Sequence, residues 1–243
     1  MDFKENDKII TFLTRDEGKK SGIVKGAKKI NSQNVGISEP FTQVRIFYVE
    51  SPRAELVRVR KFELIDSFYP IRQGYDKILY ATYFTELIHL CIIDPQESPR
   101  FFHILVSALH ALQGPNSLAQ TKIIFEKNLF AILGISPNLE RCIKCRCDLW
   151  QISLGKLPKL VQIETHQLDC VEGGIRCPKC LIRLSTTSDL SPGTLSFLRY
   201  LEEHNDLMIR ATSQNIDELN AAFLTYFQNQ IGKTPKSHVM LKH

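Results

Sequence analysis

Arg141-Cys142-Ile143-Lys144-Cys145 and Arg176-Cys177-Pro178-Lys179-Cys180 are the stretches whose reading decides the architecture of this chain. A Cys-x-x-Cys turn aims both thiolates at one point, so two such turns supply the four sulfurs of a tetrahedral Zn²⁺. Four thiolates fill that ion and leave no position for water or substrate. The site therefore reads as a structural staple, one Zn²⁺ per chain, rather than as a metalloenzyme centre. The 31 residues between Cys145 and Cys177 exceed the usual zinc-ribbon spacing. Loose alternation over Leu149 to Leu154 and Leu160 to Thr165 suits a hairpin there. The competing reading is a set of buried free thiols. Cys147 and Cys170 are near enough in sequence to replace a ligand, although Cys147, two residues after Cys145, competes poorly with the turn. Cys91 lies in an apolar helical run and reads as core. Seven cysteines, an odd count, and no apolar segment after Met1 fit a reducing cytoplasm better than a disulfide scaffold.

On either side of the cysteines the hydrophobic period is helical. Tyr75, Ile78, Leu79, Thr82, Tyr83, Leu87, Ile88 and Leu90 suit one buried helix face. Ser98-Pro99 predicts a cap and first turn for a helix that Gly114 ends, and Asn116 predicts the cap of the next, stopped at Gly134. Ser191-Pro192 opens a short helix, and Ser213 opens a last one whose stripe of Ile216, Leu219, Ala222, Phe223, Tyr226 and Phe227 ends at Gly232. The first 64 residues differ: Lys8–Leu13, Ser21–Lys25, Val44–Val49 and Glu55–Lys61 read as short strands, with clear alternation in Glu55-Leu56-Val57-Arg58-Val59-Arg60. A small barrel is the closure natural to such a unit. The fold expected is α+β. An N-terminal β-barrel of the oligonucleotide-binding (OB) type, its first strand apparently missing, precedes an all-α body carrying an inserted four-cysteine zinc module. The expected segments are 1–68 (barrel), 69–137 (helical body, first part), 138–185 (zinc module) and 186–243 (C-terminal helices).

Charge narrows the function. The net charge of +5 is modest, but Arg15, Lys19, Lys20, Lys25, Lys28 and Lys29 face only Asp16 and Glu17 between positions 15 and 29. Such a cluster meets phosphates without base-specific geometry, and its ordinary alternative is a solvated loop. Phe41, Phe47 and Tyr48 are candidate stacking platforms, although aromatic residues on short strands are more often core. Arg141, Lys144, Arg176 and Lys179 would offset the −2 of a four-thiolate zinc. The sequence contains no G-x-S-x-G, H-E-x-x-H or G-x-x-x-x-G-K-[ST] motif. His103 and His110 read as a helix-surface pair, and Glu86 and Glu126 as capping or interhelical partners. An enzyme is the weaker class, and no stretch is long and apolar enough for a membrane span.

Several segments together resemble the bacterial RecO recombination mediators. They include Lys8-Ile9-Ile10-Thr11-Phe12-Leu13-Thr14-Arg15-Asp16-Glu17-Gly18-Lys19, Val24-Lys25-Gly26-Ala27-Lys28-Lys29 and Glu39-Pro40-Phe41. Agreement continues through Tyr83-Phe84-Thr85-Glu86-Leu87, the run from Phe125 to Gly134, Pro137-Asn138-Leu139-Glu140-Arg141-Cys142, the two cysteine pairs and Gly232-Lys233-Thr234-Pro235-Lys236-Ser237. The resemblance implies non-enzymatic work in DNA repair: binding single- and double-stranded DNA, annealing complementary strands, and helping load RecA onto strands coated by single-strand-binding protein. It implies RecR and the acidic C-terminal tail of single-strand-binding protein as partners, with RecA engaged indirectly. It also implies a cytoplasmic, nucleoid-associated location and no membrane. Carried over residue by residue, Lys25, Lys28 and Lys29 match the family's DNA-facing segment, to which Arg15, Lys19 and Lys20 add charge. Cys142, Cys145, Cys177 and Cys180 match its zinc ligands. Lys122, Lys127 and Arg141 are named for the tail-binding pocket without a motif to support them. The family carries a strand before the segment that begins here at Asp2. The chain is therefore expected to be short by about ten residues, one strand plus a turn, leaving an open edge at Ile9, Ile10 and Phe12. The rival classes are a zinc-stapled transcriptional regulator, which lacks a basic recognition helix here, and a hydrolase with a structural zinc.

Overall fold

The alternation at Glu55–Arg60 belongs to the longest strand of a five-stranded sheet. The computed structural model describes residues 2–3, 6–27, 36–151, 159–204 and 209–241. The strands are β1 (Asp2–Phe3), β2 (Asp7–Leu13), β3 (Lys19–Val24), β4 (Gln43–Ser51) and β5 (Ala54–Asp66), in the spatial order β1-β2-β3-β5-β4. All neighbours are antiparallel except β3 and β5, which run parallel. That order is the Greek-key arrangement of an oligonucleotide-binding barrel. Val24, Ala27 and Phe62 form its buried centre, with Ile10, Val44, Ile46 and Val59 packed around them. Gly22 permits the parallel pairing, because a Cβ there would lie 2.8 Å from Val57 Cγ2 and 3.1 Å from Val57 O.

Four strands were expected, and a fifth is present as a two-residue stub. β1 pairs with β2 only through Asp2↔Lys8 and Phe3↔Asp7. Among the described residues no strand lies along the remaining edge of β2; this segment borders a cavity of about 480 Å³ also lined by Phe41, Val44, Phe102 and Leu109.

The chain groups into two compact units, Met1–Pro115 with Ser237–His243, and Asn116–Lys236. The expected boundaries followed the kind of element; compactness instead divides the helical segment at Pro115. In the first unit the sheet is followed by α1 (Tyr69–Arg72), α2 (Tyr75–Cys91) and α3 (Ser98–Gln113). α2 buries Ala81, Tyr83, Phe84, Leu87 and Ile88, whereas Tyr75, expected on that face, is exposed at its first residue. Ser98 does not cap α3: its Oγ donates to the carbonyl of Thr14 at 2.5 Å, tying the helix to the end of β2. Glu86 accepts from the backbone N–H of Ser237 at 2.8 Å, the hydrogen-bonding role expected of it.

The second unit contains α4 (Leu118–Ile132), β6 (Trp150–Gln151), β7 (Lys159–Leu160), β8 (His166–Asp169), β9 (Gly174–Arg176), β10 (Thr187–Leu190), α5 (Pro192–His204) and α6 (Ser213–Ile231). The hairpin expected between the cysteine pairs is represented by β6 paired with β7. Two caps lie one residue from their expected places. Ser117, not Asn116, accepts from the N–H of Gln120, and Thr212, not Ser213, forms a reciprocal capping box with Asn215. Gly232 closes α6 at φ 69° as expected. The aromatic stripe of α6 packs Phe223 and Tyr226 edge-on against Phe130 of α4, with centroids 5.2 Å apart in both pairs. Among the described residues no helix is long and apolar enough to cross a membrane.

Candidate metal centre and nucleic-acid surface

Cys142 and Cys145 stand on a loop braced against the end of β9, and Cys177 and Cys180 follow directly from that strand. The N–H of Ile143 donates to Ile175 O at 2.9 Å, and that of Ile175 donates to Asn138 O at 3.1 Å. These bonds align the two turns. Each turn is closed locally, by Arg146 N–H donating to Cys142 O at 2.9 Å and Cys180 N–H donating to Cys177 O at 2.8 Å. Arg146 adopts a φ of 63°, a left-handed position that ordinarily favours glycine. Gly174 is required for close approach, since a Cβ on it would collide with Ile143 Cγ2 and lie 3.2 Å from Asn138 O.

The four sulfurs all lie within 4.8 Å of one another, and those of Cys145 and Cys177 are 3.7 Å apart. A tetrahedral Zn²⁺ with Zn–S bonds of about 2.3 Å places its sulfurs about 3.8 Å apart, so the donor set and its spacing fit that ion. Burial opposes thiolate formation at Cys142, but the N–H groups of Cys177, Cys145 and Lys144 outweigh it and hold the thiol below its ordinary value. Cys145 is brought down to about 6 by the backbone N–H and then the thiol of Cys147. Cys147 Sγ sits 3.4 Å from Cys145 Sγ but is not part of the mutually close set, and burial followed by the Cys145 thiol pushes it up to about 12. Cys170 and Cys91 are buried, as a core role requires.

The basic residues around the cysteines divide into two kinds. Arg176 bonds Asp169 at 2.7 and 2.9 Å, and Asp169 also accepts from the N–H groups of Val171 and Glu172, fastening the β8–β9 turn. Arg141 pairs with Asp148 at 2.8 Å on the surface. Lys144 and Lys179 are exposed and have no ion-pair partner among the described residues.

The residues named for an acidic tail do not form one surface. Lys122 has no exposure: its ammonium donates to Glu126 and Asn220, each at 2.9 Å. Helical spacing placed Lys122 beside Glu126, but α6 supplies Asn220 and covers the pair, so this lysine cannot meet an external partner in this conformation. Lys127 donates to Leu201 O at 2.8 Å, and burial lowers its pKa. Of the three only Arg141 is exposed, and it belongs to the cysteine module.

The barrel's basic cluster is likewise sorted by the fold. Lys20 lies between Glu50 and Glu17, the latter at 3.0 Å, with its ammonium 5.5 Å from the Tyr48 ring centroid; Glu50 and then Glu17 raise its pKa. Arg15 pairs with Asp16 at 3.1 Å. Lys19 and Lys25 are exposed without an ion-pair partner among the described residues. Gly26 turns the chain after β3 at φ 64°, with its N–H donating to Asp7. Lys28 and Lys29 lie outside the described residues. Of the three aromatic platforms, Tyr48 points inward towards Phe12 with centroids 5.9 Å apart. Phe41 lines the cavity, and Phe47 is exposed. His103 and His110 are both exposed on α3, His110 lying edge-on to Phe68.

Family models described as "Recombination protein O N terminal" and "Recombination protein O C terminal" match residues 1–68 and 72–238. The chain is 30% identical over 246 residues to a DNA repair protein RecO of Halalkalibacterium halodurans, spanning 99% of this chain and 90% of that one. It is 29% identical over 203 residues to the RecO of Myxococcus xanthus (84% and 78% covered). To that of Symbiobacterium thermophilum it is 26% identical over 244 residues (98% and 91% covered).

Proposed function

This chain belongs to the RecO family of DNA repair proteins, and on that premise we propose that it is a non-enzymatic mediator that binds DNA strands and brings complementary ones together. The observation that carries the reading is the five-stranded sheet of oligonucleotide-binding order bearing the exposed Lys19 and Lys25. Ammonium groups on such a sheet neutralise phosphates and release condensed counterions, which lowers the repulsion between two strands so that bases pair. No bond is made or broken in this work. Lys28 and Lys29 belong to the same basic segment of the sequence and add to its charge. In this reading the strands are presented by single-strand-binding protein, and RecR and the tail of that protein are the partners through which RecA is loaded.

One Zn²⁺ held by Cys142, Cys145, Cys177 and Cys180 is part of the proposal, supported by the sulfur spacing and the thiolate-stabilising N–H groups. Bound there, it supplies cross-linking of two turns and no Lewis-acid chemistry, because four sulfurs complete its coordination. The test is strand annealing of complementary oligonucleotides coated with single-strand-binding protein. Acceleration by the zinc-loaded protein, lost with rising salt, is expected. No acceleration at any salt concentration would refute the mediator reading.

A further inference from the structure

We propose that the outer face of the β4–β5 hairpin is a binding surface for single-stranded DNA, with Phe47 as the platform on which an unpaired base stacks. The inference deepens the DNA-binding reading above and rests on it. Along β4 the alternation is strict: Val44 and Ile46 pack into the barrel core, while Arg45, Phe47 and Val49 face outward and are exposed. Phe47 is 42% exposed and Val49 49%, a cost in solvated apolar surface that the barrel's own packing does not require. On β5 the residues opposite are Glu63, Lys61 and Arg58, paired in register with Arg45, Phe47 and Val49 respectively.

A register shift between Phe47 and Tyr48 adds to the charge. Phe47 pairs with Lys61 and Tyr48 with Val59, so Arg60 is the extra residue of a bulge. Instead of alternating inward and outward, Arg60 and Lys61 are then exposed in succession, Lys61 directly opposite Phe47. The Lys61 ammonium stands 5.6 Å from that ring's centroid. Arg45 and Lys61 share one carboxylate, Glu63, at 3.4 and 2.8 Å. Arg45, Arg58, Arg60 and Lys61 thus outnumber Glu63, the acid that pairs with two of them among the described residues. Exposed aromatic surface with a cation over the ring and further cations on the same two strands matches a chain whose bases offer open π-faces and whose backbone is anionic. A duplex does not present such faces, because its bases already stack on one another. The occupant assigned is therefore a single strand, bound without sequence preference.

The experiment is a fluorescence-anisotropy titration of the full zinc-loaded chain with labelled oligothymidine and with a duplex of equal length. Phe47→Ala, Phe47→Tyr and the pair Arg58→Gln/Arg60→Gln are compared with the unsubstituted protein. Phe47→Ala should weaken single-strand binding by about 5- to 150-fold, as expected for about 1 to 3 kcal/mol per stacked base, and change duplex binding little. Phe47→Tyr should restore it. The arginine pair should lower the salt slope for the single strand by about 0.7 per lost phosphate contact. An oligonucleotide carrying 5-iodouracil should photocrosslink to the peptide containing Phe47. Because Phe47 is exposed, its alanine variant should keep the thermal midpoint of the unsubstituted protein, which separates lost contact from misfolding. If the unsubstituted protein binds no DNA, the family-based reading fails and this inference with it. If it binds and Phe47→Ala binds the single strand equally well, this inference alone is overturned, whatever else that face then proves to hold.

Discussion

Gly174→Ala tests whether the two cysteine turns are held in register by close backbone approach. A Cβ at position 174 would overlap Ile143 Cγ2 and lie 3.2 Å from both Cβ and O of Asn138, three contacts on the loop that carries Cys142 and Cys145. The loop cannot withdraw cheaply, because Ile143 N–H and Asn138 O are both committed to Ile175 across 2.9 and 3.1 Å. Overpacking of this kind costs about 1 to 3 kcal/mol. If the displacement falls on the sulfurs, zinc affinity should drop by about 5- to 150-fold, at tenfold for every 1.4 kcal/mol. Competition against a chromophoric chelator measures this directly. Gly232→Ala is the control, since Gly232 has φ 69° and open space within 4 Å of where a Cβ would lie. It should cost stability of about 1 kcal/mol through backbone strain, with zinc affinity unchanged. Shortening the obstacle, in Gly174→Ala/Ile143→Ala, should recover much of the lost affinity. Undiminished zinc affinity in Gly174→Ala would refute the argument that this approach sets the site.

Other outcomes follow from the same geometry. Cys142→Ser should release the metal, bound with on the order of 10 kcal/mol or more of free energy, while Cys147→Ser retains it; equal loss in elemental analysis of both variants would mean the ligands were wrongly chosen. Replacing Lys25, Lys28 and Lys29 together by Gln should weaken binding to all sequences alike and flatten the salt dependence by about 2 to 3 units of slope. Lys20→Gln should change it less because Glu50 and Glu17 already neutralise that charge, and equal slopes measured for the two variants would refute this. Asp169→Asn should destabilise the second unit by about 3 kcal/mol in denaturant melts, by leaving the guanidinium of Arg176 poorly paired. Glu172 N–H and Arg176 overcome burial and hold Asp169 below its ordinary 3.8, so its contribution is complete above that value and lost as the pH falls through the lower folded value. The pH dependence of stability in this acid range should therefore be shallower in Asp169→Asn, and identical profiles would remove the ion pair as its cause.

What this sequence determined by itself was local. Each Cys-x-x-Cys turn needs only its own spacing to aim two sulfurs at one point, and the structure brings the two pairs together, all four within 4.8 Å. Gly232 ends α6 because glycine takes the left-handed φ of 69° without steric cost, and the stripe from Leu219 to Phe227 buries because its period is helical. Strand alternation likewise foretold the barrel, short of the two-residue stub Asp2–Phe3, too brief to carry a pattern. What the tertiary structure decided was which charges and rings remain available. Lys20 looks as free as Lys19 until β4 places Glu50 beside it, 30 residues away in sequence. Lys122 reads as a helix-surface cation until α6 covers it and supplies Asn220. Phe47 and Tyr48 are adjacent and chemically alike, yet one faces solvent and the other Phe12, because a strand sends successive side chains to opposite faces and only the assembled sheet settles which face is inside. Burial and electrostatic neutralisation depend on neighbours in space, and those neighbours come from elements that the local pattern does not contain.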